Sequence, residues 1–218
     1  MGVTMPPPPE PATLLRFSRV VRTVHAATGV LVLTCIATAA ILYNGSLAIM
    51  FGHRYLVEQI HVWCGFAIPV PLIAGTAYRS YRRDLGRLNR FSADDWRWLR
   101  TKTRRDGTIP VGKFNAGQKL NAALSGGALA SLLLTGTVMY FTGLVQLTWR
   151  RGATFAHDWF ALGFGLLVLG HILFALRDPV AMTGMRTGRV PTSWARREHG
   201  AWLSEPGPDD PVLPLGHR

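Results

Sequence analysis

Charge is missing from four long stretches of this chain, and that absence limits the fold more than any other feature. No Asp, Glu, Lys or Arg occurs from Thr23 to His53, from Gln59 to Tyr78, from Leu120 to Trp149, or between Asp158 and Arg177. As a helix rising about 1.5 Å per residue, each run is long enough to cross most of a hydrocarbon core about 30 Å thick. Backbone polar groups must be satisfied internally in lipid, so the runs read as helices. The expected fold is an all-α membrane protein, a four-transmembrane-helix bundle with spans at about residues 20–43, 58–78, 120–145 and 154–176.

A net charge of +12 spread over a soluble surface would point to nucleic acid. Its placement excludes that partner. Of the 24 Lys and Arg, only Arg54, Arg150 and Arg151 lie in the two loops on one side; the rest precede Thr23, fall in the connection 79–119 or follow Leu176. This positive-inside pattern predicts a multi-pass protein with both termini cytoplasmic. The expected organisation is a disordered cytoplasmic leader at 1–15, rich in proline, a transmembrane domain at 16–178 that includes the cytoplasmic connection 79–119, and a cytoplasmic tail at 179–218. Arg16 to Ala39 imitates a signal peptide. Its apolar run exceeds the usual core of about 7–15 residues and carries a histidine, so it is expected to stay as the first span.

The fourth span holds two histidines, His157 and His171. Their spacing separates them by about 21 Å along the axis but by only about 40° around it. One helix thus presents an imidazole near each membrane surface. His61, on the second span, falls at the outer level with His157, and His25, on the first, at the inner level with His171. A lone intramembrane histidine is as often structural as ligating, but two pairs matched in depth across different helices point to axial ligation of two haem b groups. A haem iron with two axial histidines has no position left for substrate, which favours electron transfer. The competing readings, a haem-free membrane anchor and a proton-relay transporter, need no depth-matched pairs, and no obvious internal repeat supports a transporter. Gly29 and Gly65, each four residues after a histidine, leave room for a porphyrin or serve plain helix packing. Arg22 and Arg177 on the inner side, and Arg54 and Arg150 on the outer, are available to haem propionates, with snorkelling as the plainer role of each.

The two cysteines, Cys35 and Cys64, read as small buried thiols. An iron–sulfur cluster takes four cysteines, so any such cluster belongs to a partner. In the connection, Ser92 to Gly107 reads as a surface helix opened by a Ser92/Asp95 capping box and resting Trp96 and Leu99 on the membrane. Beyond it, Asn115, Gln118 and Lys119 offer polar groups at an apolar boundary beside Gly117, which would suit the carbonyls of a quinone.

The run GKFNAGQK from Gly112 to Lys119 and the ending from Arg177 to Trp202 resemble the gamma, or cytochrome b, subunit of membrane-bound formate dehydrogenases. The resemblance covers about Arg16 to Trp202. It implies a bacterial cytoplasmic membrane, two haem b groups on His25 with His171 and His61 with His157, and a quinone site formed in part by Asn115, Gly117 and Gln118 near His171. The quinone is menaquinone or ubiquinone. The implied partners are an iron–sulfur beta subunit and a catalytic alpha subunit of a dehydrogenase, besides membrane lipid. Related subunits serve nickel–iron hydrogenases and thiosulfate reductases, so a differently partnered or self-contained quinol oxidoreductase is the alternative. The proline-rich leader has no counterpart in the family pattern.

Overall fold

A computed structural model describes residues 12–102 and 107–204 of the chain. After a short strand β1 (Thr13–Leu15), the helix α1 (Arg19–Tyr43) starts where the Ser18 hydroxyl accepts from the Val21 amide. Asn44 closes it and at once opens α2 (Gly45–Phe51), accepting from the Leu47 amide through its side chain. The second span is α3 (Arg54–Ala67) followed by α4 (Pro69–Gly75), and the break at Ile68 has a simple cause. Pro69 and Pro71 bring no amide hydrogen, so the backbone tightens there through an Ile68 to Gly65 bond of 3.3 Å. On the side shared by the two described ends lie α5 (Arg79–Leu88) and α6 (Ala93–Arg100). The third span α7 (Ala116–Tyr140) and the fourth α8 (Leu147–Leu176) pack along each other as a hairpin, as α1 and α3 do. Then follow α9 (Pro179–Thr187), β2 (Arg189–Pro191), α10 (Thr192–Glu198) and a 3-10 turn, Gly200–Ser204.

The protein is mainly helical, with four helices long and apolar enough to cross a membrane. Most of their surface faces outward and is apolar. Val32, Ile68 and Phe164 form the buried centre of the bundle, backed by Leu72, Leu129, Leu132 and Leu167.

Helix limits differ from the sequence expectation at the charged ends. The second span starts at Arg54 and stops at Gly75, the third runs Ala116–Tyr140 instead of about 120–145, and the fourth begins at Leu147 instead of 154. Arg54, Glu58, Lys119, Arg150 and Arg151 all sit inside helix ends, where long side chains reach out to the interface, so a charge-free run marks the lipid-buried part and not the helix. The surface helix is also shorter, ending at Arg100 instead of reaching Gly107; the expected end signal pairs Gly107 with Asp106, which lies outside the described residues. Its buried face carries Trp98, packed on Ile109 and Ala116, while Trp96 is exposed. The Ser92/Asp95 capping box is present in full.

Both described ends join in a small cap beside the bundle. β1 pairs antiparallel with β2, with Leu14 opposite Val190, so ordered structure begins within the stretch read as leader. The hydrogen bonds come from a strand partner far along the chain, which no local pattern announces. Gly188 ends α9 with φ +87°, and a Cβ there would come within 2.6 Å of the Phe17 carbonyl oxygen. That carbon would collide with the backbone. Arg16 is the keystone: it is 2% exposed, lies 4.7 Å from the Trp194 ring, and donates from Nη2 to the Lys113 carbonyl at 3.2 Å and to His199 Nε2 at 3.3 Å. Burial pulls its guanidinium down to about 10, while Asp178 and Asp84 pull the other way.

Candidate cofactor sites

The two hairpins bring the four span histidines together in pairs. Ring centres of His25 on α1 and His171 on α8 are 6.1 Å apart, with planes inclined at 53°. Those of His61 on α3 and His157 on α8 are 6.4 Å apart, inclined at 70°. Two imidazoles bonded to one iron, with each metal–nitrogen bond about 2.0 Å and each nitrogen about 1.1 Å from its ring centre, would stand about 6.2 Å apart. Directly packed rings also fall within about 4.5–7 Å, so the surroundings must decide.

Those surroundings fit a flat prosthetic group. His25 and His171 are exposed although they belong to apolar spans, and a Cβ added at Gly29 or Gly65 would meet no atom within 4 Å. These faces have room for a porphyrin edge, an openness they share with most glycines of the spans. Gly136 of α7 serves the outer pair differently: a Cβ there would touch His157 Cε1 at 3.4 Å, so the small residue lets the ring lie against α7. Among the described residues no three His, Cys, Asp or Glu side chains converge to hold a bare ion. Pairs suit a metal whose other ligands come with a macrocycle.

Cationic groups flank both levels. Among the described residues, the Nε atoms of Arg22 and Arg150 and the hydroxyl of Thr28 are buried with no hydrogen-bond partner. Arg22 and Thr28 each stand one helical turn from His25, and Arg150 two turns from His157, on the same faces. Arg22 is also held by its Nη1, which donates to the Arg186 carbonyl. Arg54 differs, since its Nη1 donates to the Leu42 carbonyl at 3.1 Å. Trp63, Trp149 and Trp159 are all exposed, as an interfacial belt requires. Cys35 and Cys64 are free and half-buried.

Sequence reasoning missed the hydroxyls that hold the outer rings. His61 Nδ1 is 3.0 Å from Thr38 Oγ1, and His157 Nδ1 is 2.9 Å from Thr135 Oγ1. A polar residue within an apolar span was the signal, but its meaning depends on which neighbour it faces.

The second group of expected site residues is placed at the start of α7. Asn115 and Gln118 form a reciprocal capping box: Asn115 Oδ1 accepts from the Gln118 amide at 2.9 Å, and Gln118 Oε1 from the Asn115 amide at 3.1 Å. Both carboxamide oxygens are engaged, so what each side chain offers a ligand is an NH2 donor. Gly117 lies under Trp98, whose ring would be 3.4 Å from an added Cβ. Lys119 pairs with Asp95 at 2.6 Å. A cavity of about 110 Å³ is lined by Trp98, Asn115, Gln118, Asp178, Trp194 and His199, among others. Ligand pockets usually run to about 300–1,000 Å³, so this recess admits part of a ring at most.

Four apolar spans carrying two facing histidine pairs define a membrane cytochrome b. The model of the prokaryotic cytochrome b561 family matches residues 16–188, and the chain belongs to that family. It is 31% identical over 97 residues to the cytochrome b556 subunit of formate dehydrogenase from Haemophilus influenzae, across 43% of this chain and 41% of that protein. The cytochrome b556(fdo) subunit of formate dehydrogenase from Escherichia coli is 29% identical over 98 residues, across 44% of this chain and 46% of its own length. The match thus spans less than half of these relatives. Membership of the family implies haem b and a role in electron transfer within a membrane.

Proposed function

We propose that this chain is a diheme cytochrome b subunit that carries electrons from an iron–sulfur subunit of a dehydrogenase, on the face opposite the basic cap, to menaquinone or ubiquinone near the cap. The observation that carries this reading is the pair of histidine couples, at 6.1 and 6.4 Å, on opposite ends of one helix. His61 and His157 hold the outer group, His25 and His171 the inner. A haem held by two imidazoles exchanges electrons and binds no substrate. The basic cap lies in the cytoplasm, following the placement of Arg and Lys. Similarity to formate dehydrogenase subunits supports formate as the origin of the electrons, with catalytic alpha and iron–sulfur beta subunits as partners.

Asn115 and Gln118 hold the quinone through their NH2 groups. Their engaged oxygens keep those donors from rotating away, and a quinone carbonyl needs a donor. Protons for the reduced quinone enter from the same side, so moving an electron inward against an inside-negative potential conserves about 2.3 kcal/mol per 100 mV.

The test is reoxidation of the dithionite-reduced chain, in lipid nanodiscs, by a short-tailed quinone. Gln118→Ala should slow it by up to about tenfold, the loss of one hydrogen bond worth about 0.5–1.5 kcal/mol, with both haem spectra intact. An unchanged rate would remove Gln118 from the quinone site.

A further inference from the structure

The two histidine pairs differ in what holds their rings. At the outer level each imidazole meets a threonine of the other helix in its hairpin, Thr38 of α1 for His61 of α3 and Thr135 of α7 for His157 of α8. The direction of these bonds is settled by the hydroxyl proton. Thr38 Oγ1 donates to the Thr34 carbonyl at 2.7 Å, and Thr135 Oγ1 to the Ser131 carbonyl at 2.7 Å. A threonine hydroxyl has one proton, and here it goes to a backbone carbonyl, so each oxygen accepts from its histidine; the Cys35 and Leu132 carbonyls stand beside the same rings as further acceptors. Both rings are therefore Nδ1–H donors with the Nε2 lone pair free. At the inner level, no hydrogen bond reaches a ring nitrogen of His25 or His171 from any described residue, and the Thr28 hydroxyl is buried without a partner.

We propose that Thr38 and Thr135 are positioning residues that lock the outer pair in the Nε2-ligating tautomer and make the outer haem the lower-potential one of the two. A ligating imidazole that donates its other N–H becomes a stronger electron donor to the metal. Stronger donation favours ferric over ferrous iron. Two such bonds act on the outer iron and none, from the described residues, on the inner, so the electron's equilibrium position lies inward. This rests on the diheme reading above. The threonines would then set the direction of transfer without touching either iron.

The experiment is a spectroscopic redox titration of the purified holoprotein, wild type against Thr38→Val, Thr135→Val and the corresponding serine variants. Valine keeps the shape and removes the hydroxyl acceptor, leaving only the more weakly placed Cys35 and Leu132 carbonyls; serine keeps the hydroxyl. With two haems bound, each valine variant should raise the midpoint of the outer haem and leave the inner one unmoved, narrowing the gap between them, and serine should restore it. The low-field electron paramagnetic resonance signal of the outer ferric haem should move with the valine variants only. Loss of the outer haem alone in a valine variant, reversed by serine, supports the same role. Two haems with both midpoints unmoved, an equal shift of both, or a serine variant that behaves like valine would overturn the inference. A wild-type chain that binds no haem would instead overturn the reading beneath it.

Discussion

Replacing His171 with alanine should remove the inner haem and abolish quinone reduction while the outer haem remains. The two pairs sit at opposite ends of the bundle, about 21 Å apart along α8. His171 belongs to the pair with His25, and His61 with His157 keep a complete set of ligands on other turns. The inner group loses one of its two axial bonds at a place where no described residue hydrogen-bonds either ring to hold it. Haem content should therefore fall by half, and His25→Ala should give the same spectrum. Quinone reduction should drop to the background rate, because the Asn115 and Gln118 donors stand on the side of the missing group. Loss of both haems from either variant would contradict the pairing.

Asp84→Asn should lower stability more than any surface change, by about 3–5 kcal/mol, and more than Lys113→Met. Lys113 Nζ reaches both Asp84 oxygens, at 2.5 and 2.6 Å, and the side chains are only 8% and 7% exposed. Burial pushes the Lys113 ammonium below the usual lysine range, opposed by the neighbouring Asp84 and assisted by Arg87 and Arg16. Removing the carboxylate leaves a buried cation facing two others, the costly way to break such a pair. Lys113→Met is milder, since Asp84 keeps Arg87 at 3.4 Å. Thermal melting in detergent, followed by light scattering, should rank the variants in that order. The double replacement Asp84→Leu with Lys113→Met should regain much of the loss, because a buried ion pair stabilises little beyond a packed apolar one. Equal melting of both single variants would contradict the ranking and with it the cost of the uncompensated Lys113 charge.

What could be read from the sequence was whatever depends on one helix at a time. Charge-free runs gave four spans, and a helical period put His157 and His171 on one face; chain direction alone sorted their partners. The Ser92/Asp95 cap was legible for the same reason, its two partners lying three residues apart. Asn115 and Gln118 carry the same spacing ahead of an apolar run, yet their polarity drew attention to a ligand before a cap. Arg16 was read as one more basic residue near the membrane, but its partners Lys113 and His199 lie 97 and 183 positions away. Asp84 and Lys113 likewise meet only once the connection folds over the bundle. Thr38 and Thr135 depend on the rotation of each helix against its neighbour, and only at the second does a small residue, Gly136 of α7, let the facing histidine lie close.

The most direct test is the number of haems on the chain. Pyridine haemochrome quantification of the purified protein, expressed with ample haem and its partner subunits, should give two b-type haems per polypeptide, with a dithionite-reduced minus oxidised spectrum that resolves into two components. One haem would contradict the assignment of two ligand pairs; none would return the four histidines to packing and leave the chain a membrane anchor.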